Sequence, residues 1–170
     1  MGFLKILRYF VKALAYTCYL LIGIYLFVSL PIFFGYKPLI VLSGSMVPTY
    51  DIGDVIYSKN VEYEEIRVDD VITYQSENDT FITHRVVDII DGKFQTKGDA
   101  NEMVDLELVI YPRVSGKVAN YYLPLVGYYI KFINENLYLV LVAVLILVSE
   151  FIMSNMKTFD INSKRKELEV

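Results

Sequence analysis

Leu42-Ser43-Gly44-Ser45-Met46-Val47-Pro48 is the stretch on which the interpretation of the whole chain depends. It follows a long apolar run, at the point where the composition stops being that of a membrane segment. Because glycine allows backbone angles closed to other residues and proline fixes its own φ, we expect Ser45 to lie on a shaped turn. A hydroxyl on such a turn is a candidate nucleophile, but a Ser-Gly-Ser tripeptide is also typical of a loop linker. A base and an orienting acid must come from the rest of the chain.

The residues before this stretch are typical of a membrane anchor. No charged residue occurs from Ala13 to Phe34, and about 20 apolar residues suffice to cross the hydrocarbon core of a bilayer. Lys5, Arg8 and Lys12 precede the run, which places the N-terminus in the cytoplasm by the positive-inside rule. A cleaved signal peptide would end its apolar region in a small-x-small site, whereas the only Ala-x-Ala lies before the run. We therefore predict an uncleaved N-terminal membrane anchor over residues 1–35.

Residues 36–120 predict a β-rich domain. Short apolar or alternating runs recur and are separated by turn signals such as Asp91-Gly92. The predicted strands are Leu39–Leu42, Val55–Tyr57, Val71–Tyr74, Phe81–Ile89, Phe94–Thr96 and Val109–Tyr111. So many short strands in one segment indicate a small barrel or sandwich. The predicted fold class is thus mainly β, with flanking transmembrane helices.

The C-terminal part predicts a return to the membrane. Residues 121–136 are aromatic and apolar but interrupted by Pro124 and Gly127, which is typical of an interfacial segment. Residues 137–153 form a second apolar run and predict a second transmembrane helix, with a buried or interfacial helix as the alternative. Residues 154–170 predict a cytoplasmic tail because Lys157 and the cluster Lys164–Lys166 are basic.

Charge and residue counts exclude several classes of function. Residues 35–120 hold eight Lys/Arg and fifteen Asp/Glu, a net charge of −7, whereas nucleic-acid binding requires a basic face. The chain has a single cysteine, Cys18, and a single histidine, His84. We therefore expect no disulfide framework and no cysteine or multi-histidine metal site, and we expect no cofactor.

The single histidine is the first candidate for a base. In a strand over Phe81–Val87, side chains alternate, so that His84 shares a face with Ile82 and Val86. A lone histidine among aliphatic residues is usually structural, but an imidazole that acts as a base has a carboxylate to orient it. Asp99 and Asp105 are the two candidate acids downstream, and each is equally typical of a solvated loop.

Five short motifs in order carry a family resemblance. They are Ser43-Gly44-Ser45-Met46-Val47-Pro48, Gly53-Asp54-Val55-Ile56, Asp70-Val71-Ile72-Thr73-Tyr74, Thr83-His84-Arg85-Val86-Val87 and Thr96-Lys97-Gly98-Asp99. Together with the upstream anchor, the chain resembles a type I signal peptidase of the Ser-His-Asp branch shared by archaea, the endoplasmic reticulum and some Gram-positive bacteria. Asp69 stands where this family usually has glycine, and because Asp tolerates left-handed backbone geometry we expect the turn to survive.

The resemblance implies a role for each motif residue. Ser45 matches the nucleophile, and His84 occupies the position where the bacterial branch carries a lysine base. Asp105 matches the acid of the Ser-His branch, and Asp99 matches a second, supporting acid. Ser43 matches the residue whose hydroxyl helps to form the oxyanion hole. The implied activity is that of a membrane-bound serine endopeptidase.

The resemblance also implies the partners and the location. The expected substrates are secretory preproteins, cut after their N-terminal signal peptides, and the other partner is the lipid bilayer. Accessory subunits remain open. The expected location is the cell membrane, with two spans and an extracytoplasmic catalytic domain, and the endoplasmic reticulum is the alternative.

Two other interpretations remain open. Self-cleaving repressors and related Ser-Lys peptidases share the serine motif, and Lys93 or Lys97 would then be the base. The second alternative is a non-catalytic, membrane-anchored β domain that binds a partner or scaffolds a complex.

Overall fold

The computed structural model of the protein describes residues 2–77 and 79–168, with side chains for these ranges except residues 3, 4 and 156–168. The side chains of Lys157 and Lys164–Lys166, on which the predicted cytoplasmic tail depends, thus lie outside the described residues. The chain divides into a helical unit, up to Phe27 and from Phe132 onward, and a β unit, Val28–Lys131. The helices are α1 (Gly2–Ser29), α2 (Val126–Glu135) and α3 (Tyr138–Leu168). The strands are β1 (Tyr36–Ile40), β2 (Val55–Lys59), β3 (Val71–Gln75), β4 (Phe81–Ile90), β5 (Lys93–Lys97) and β6 (Val114–Leu123).

The six strands form one antiparallel sheet in the order β1-β2-β6-β3-β4-β5. The prediction of a mainly β domain with flanking apolar helices is therefore confirmed. Strands β3, β4 and β5 follow one another as a meander with short connections. Asp91 and Gly92 make the tightest of these, and both have positive φ, as the two central residues of a type I′ hairpin turn require.

Alternation along the meander produces a buried face. His84 pairs with Ile72 across β3 and Val86 pairs with Thr96 across β5, so these side chains share one face of the sheet. The largest buried cluster covers this face and consists of Ile66, Ile72, Tyr74, Val86, Phe94 and Val109. The polar side chains of His84 and Thr96 lie at the same face and are buried as well.

Five of the six predicted strands are confirmed to within three residues, but the sixth is wrong. Val109 makes only an isolated bridge to Phe94, and a 3₁₀ turn occupies Tyr111–Arg113. The sixth strand is β6, in which Gly116 and Lys117 interrupt the apolar pattern that would have predicted a strand. A side chain at Gly116 would collide with the backbone of Lys59 on the neighbouring strand, which explains a glycine inside a strand.

Among the described residues, two helices are long and apolar enough to cross a membrane. The apolar segments are Lys5–Phe34 and Tyr138–Asn155, each with a mean hydropathy of 2.1, and few of their residues are buried. Helix α3 continues beyond the predicted second span to Leu168. The segment 121–136, predicted from its aromatic residues, contains the end of β6, a turn in which Leu125 has positive φ, and helix α2.

Candidate active site

Ser45 lies on a 3₁₀ turn, Gly44–Met46, between β1 and β2. The next side chain, Met46, is 3 % exposed and anchors the turn in a second buried cluster. That cluster consists of Met46, Tyr50, Ile56, Val71 and Val118. The Ser43 hydroxyl lies 3.4 Å from the Ser45 hydroxyl, so the two serines of the motif are immediate neighbours.

The shape of this turn does not require glycine at position 44. Gly44 lies outside the left-handed region, and a Cβ atom there would meet only Val47 Cγ2, at an ordinary 3.7 Å. The expectation that Ser45 lies on a turn is therefore confirmed, but the conformational freedom of glycine is not what shapes that turn. The bond between Val47 and Pro48 is cis. The buried side chain of Met46 holds the turn in place.

His84 projects from β4 and is paired with Asp105. Its Nδ1 atom lies 2.6 Å from Asp105 Oδ2, and the His84 side chain is 9 % exposed. An ionised carboxylate only accepts hydrogen bonds, so in a neutral imidazole the proton lies on Nδ1 and Nε2 keeps its lone pair. This is the tautomer that a general base requires.

Ser45 and His84 line the same cavity, which has a volume of about 550 Å³. One wall is the segment Leu39–Ser43, and the other includes Thr80–Thr83 at the start of β4. Most of the lining is apolar, and Asn101 contributes an amide. The cavity is therefore an apolar cleft with a hydroxyl and an imidazole at its wall.

Asp99 does not pair with His84, because Arg85 binds it. Arg85 follows His84 in β4, so its side chain leaves the strand on the opposite face. Its guanidinium makes two hydrogen bonds to the Asp99 carboxylate, of 2.8 and 2.6 Å. Thr49 Oγ1 donates to the same carboxylate. The hydrogen bonds from Arg85, supplemented by the one from Thr49, lower the pKa of Asp99 below its usual range.

The loop that carries Asp99 also contacts the backbone of Ser45. The Ala100 N–H donates to the Ser45 carbonyl oxygen at 2.9 Å. A Cβ atom on Gly98 would lie 2.6 Å from that same oxygen, so only glycine allows the approach. Asp99 and Arg85 thus tie β4 to the loop, and the loop holds the serine turn.

The turn at Asp69 does not need the glycine that the resemblance leads one to expect there. Asp69 has a φ of 75°, so the aspartate adopts the left-handed geometry expected of it. Its N–H donates to Val86 O at 2.8 Å, and Asp70 Oδ2 accepts from the Arg67 N–H at 2.8 Å. The expectation that the turn survives is confirmed.

Sequence reasoning missed four polar residues that support the site. Arg85 and Thr49 bind Asp99, while Tyr74 and Thr96 bind Asp105. Tyr74 and Thr96 lie at inward-facing positions of predicted strands, and a buried polar residue on an apolar face is the informative exception to apolar burial. That exception is the signal that could have identified them.

Two remaining groups of candidates bear on the kind of chemistry. Lys93 and Lys97 alternate with the inward-facing Phe94 and Thr96 of β5, so they point away from the face that carries His84. Neither lysine is among the residues that line the cavity with Ser45. Within the described ranges, no three His, Cys, Asp or Glu side chains are grouped in a way that could hold a metal ion.

A hydroxyl, an imidazole and a carboxylate supported by a β-sheet are the groups that a serine peptidase uses. The chain is 37% identical over 99 residues to signal peptidase I W of Bacillus subtilis, an alignment that covers 55% of this chain and 52% of the relative. It is 38% identical over 122 residues to the signal peptidase complex catalytic subunit SEC11 of Ogataea parapolymorpha, covering 58% of this chain and 68% of the relative. It is 39% identical over 72 residues to human SEC11C, covering 39% of this chain and 38% of the relative. No protein-family model matches the chain.

These relatives identify the family: the chain belongs to the type I signal peptidases. It spans about half the length of the Bacillus relative and about two thirds of the yeast one. The alignments cover somewhat more than half of this chain.

Proposed function

We propose that the protein is a membrane-bound serine endopeptidase that removes N-terminal signal peptides from secreted preproteins. The observation that carries this proposal is the 2.6 Å contact of His84 Nδ1 with Asp105, at a cavity that Ser45 also lines. A serine hydroxyl is a weak nucleophile near neutral pH and needs an oriented base. Membership of the signal peptidase family supports the choice of substrate.

In the proposed mechanism Ser45 Oγ attacks the scissile carbonyl carbon and passes its proton to His84 Nε2. Asp105 stabilises the imidazolium, which then gives the proton to the leaving amine. Water, activated by the same imidazole, hydrolyses the acyl-enzyme. The Ser43 hydroxyl, near Ser45 Oγ, and the Ser45 N–H stabilise the oxyanion. One such donor is typically worth about 2.7–4 kcal/mol.

The walls of the cavity suit an extended peptide. Strand β1 is an edge of the sheet, and β5 pairs with β4 only from Arg85 onward. Residues 39–42 and 81–83 therefore offer backbone groups on either side of the cavity to a substrate in strand conformation. Alternate substrate side chains would then face the apolar lining, and the family resemblance implies that small side chains are preferred there.

The test is cleavage of a purified preprotein in detergent or liposomes. Ser45→Ala, His84→Ala and Asp105→Asn should each lower kcat by about 10⁴-fold or more, and Ser43→Ala by about 10²–10³-fold. The kcat of Asp99→Asn should fall much less than that of Asp105→Asn, because Asp99 pairs with Arg85 and not with His84.

Full cleavage by Ser45→Ala would contradict the peptidase proposal and favour a partner-binding β domain. Equal, mild losses in Asp99→Asn and Asp105→Asn would contradict the role given to Asp105.

A further inference from the structure

Asp105 Oδ2, the oxygen that faces His84, accepts two more hydrogen bonds. Thr96 Oγ1 donates to it at 2.7 Å and the Tyr74 hydroxyl at 3.1 Å. The two hydroxyls are also 3.1 Å from each other. One carboxylate oxygen thus collects an imidazole N–H and two side-chain hydroxyls.

The protons of this cluster can be assigned. Asp105 has no proton to give when ionised, so the Thr96 hydroxyl proton points to Oδ2. Thr96 Oγ1 then has lone pairs to offer, and the Tyr74 proton is shared between Oδ2 and Thr96 Oγ1. Burial, with a further contribution from the charge of Asp105, raises the pKa of Tyr74, so the phenol stays a donor. Asp105 Oδ2 thus accepts from Thr96 and shares the Tyr74 proton with Thr96 Oγ1.

The two hydroxyls come from the rigid interior of the sheet. Thr96 is fully buried on β5 and Tyr74 is 3 % exposed on β3, whereas Asp105 lies in the loop after β5 with its side chain 20 % exposed. The Asp105 N–H donates to the Thr96 carbonyl oxygen at 2.8 Å, which fixes the backbone of the loop at the same point. Bulk water cannot replace donors buried to this degree. The strands thus determine where a loop carboxylate lies.

We propose that Tyr74 and Thr96 are positioning residues, which hold Asp105 so that it orients His84 for proton transfer. This inference rests on the proposed function, since it concerns the base of that reaction. The two hydroxyls also share the negative charge of Oδ2. Without one of them, the carboxylate interacts more strongly with the imidazolium but holds the ring less well in place.

Thr96→Val and Tyr74→Phe test the proposal because each removes a hydroxyl and little volume. We expect kcat for preprotein cleavage to fall by about 10-fold or more in each variant, as for outer-shell partners of catalytic groups, with KM changed by less than about twofold. We expect the acid limb of the kcat/KM profile to move to higher pH, because a less solvated Asp105 stabilises the protonated imidazole more strongly. Thr96→Ser, which keeps the donor, should recover most of the activity.

A matched control separates positioning from packing. Tyr57 is a buried tyrosine on β2 whose hydroxyl donates to the Val28 carbonyl oxygen at 2.9 Å, away from Asp105. Tyr57→Phe should lower the melting temperature about as much as Tyr74→Phe without moving the acid limb. In an Asp105→Asn background, Thr96→Val should change kcat by less than about twofold, since its partner is already altered.

The outcomes are distinguishable. A kcat and an acid limb like those of the wild type in both Thr96→Val and Tyr74→Phe would overturn the inference while leaving the peptidase intact. If one of the two variants fails to fold, the other decides alone. Undiminished cleavage by Ser45→Ala would instead overturn the proposed function, whatever the two hydroxyl variants do.

Discussion

Two carboxylates six residues apart, Asp99 and Asp105, contact side chains on opposite faces of one strand. Asp105 binds His84 and Asp99 binds Arg85, the very next residue. In a β-strand consecutive side chains point in opposite directions, so an acid that pairs with one of these residues is kept away from the other. The sequence leaves the choice between the acids open, because both lie in one loop. The path of that loop around β4 determines which acid reaches His84 and which reaches Arg85.

The paired state of Asp99 predicts a pH-dependent stability. Its pKa is lowered, chiefly by the hydrogen bonds of Arg85, so the carboxylate contributes stability above the ordinary aspartate pKa of about 3.9. That contribution is lost as the pH falls through the lowered value in the folded state. We expect Asp99→Asn to reduce the free energy of unfolding by about 1–3 kcal/mol at pH 7. Thermal and urea unfolding of both proteins in detergent, from pH 7 downward, should show the difference shrinking with acid. A difference independent of pH would contradict this assignment.

At the scale of the element, the loop after β5 is the part that brings the site together. Its first half, around Gly98 and Ala100, contacts the backbone of Ser45, and its second half carries Asp105 to His84. A single loop therefore touches both the proposed nucleophile and the proposed base. Its geometry depends on the close approach at Gly98.

Gly98→Ala should disturb that geometry directly. The added Cβ would lie 2.6 Å from the Ser45 carbonyl oxygen, so the loop must move away and weaken the Ala100 hydrogen bond. A displacement of the order of 1 Å near reacting groups can cost about 100-fold in rate, and we expect kcat/KM to fall by about that factor. Gly44→Ala is the control for the effect of a glycine-to-alanine change on stability, because the added Cβ atom would make only an ordinary van der Waals contact. Wild-type kcat/KM in Gly98→Ala would show that the loop does not position Ser45.

Most elements of the sheet could be predicted from the sequence, because β3, β4 and β5 are short apolar or alternating runs separated by turn signals. Strand β6 could not be predicted, because its buried position 116 is a glycine. A side chain there would collide with the backbone of Lys59 on the neighbouring strand, a contact that the sequence does not reveal. Ser45, His84 and Asp105 were proposed from motif order, and the structure puts Ser45 and His84 at one cavity. The hydroxyls of Tyr74 and Thr96 were missed because their partner is fixed by tertiary contacts and not by local pattern.

At the scale of the whole molecule, the two apolar helices support the proposal that the protein is bound to a membrane. We propose that both termini are cytoplasmic and that the β domain is extracytoplasmic. Lys5, Arg8 and Lys12 precede the first apolar run, and Lys157 and the basic cluster Lys164–Lys166 follow the second. A site held at the membrane surface would meet signal peptides that are already inserted in the bilayer, which raises the effective concentration of the scissile bond.

The proposed topology predicts the labelling pattern of single cysteines. In a Cys18→Ser background, Asp160→Cys should resist a membrane-impermeant maleimide added to intact cells and react after the cells are lysed. Lys93→Cys, at an exposed position of the β domain, should react in intact cells. Labelling of Asp160→Cys in intact cells would overturn the cytoplasmic tail. Protection of Lys93→Cys would overturn the extracytoplasmic domain.

The place of β6 in the sheet has a consequence for biosynthesis. This strand is the last of the six in the chain, yet it lies between β2 and β3 and is the only link between them in the sheet. Strands β1 and β2 flank the serine turn, whereas β3, β4 and β5 support His84 and Asp105. The sheet that unites these two halves cannot form until the ribosome has released residue 123. A nascent chain whose apolar N-terminal segment has already left the ribosome would therefore still lack the complete sheet.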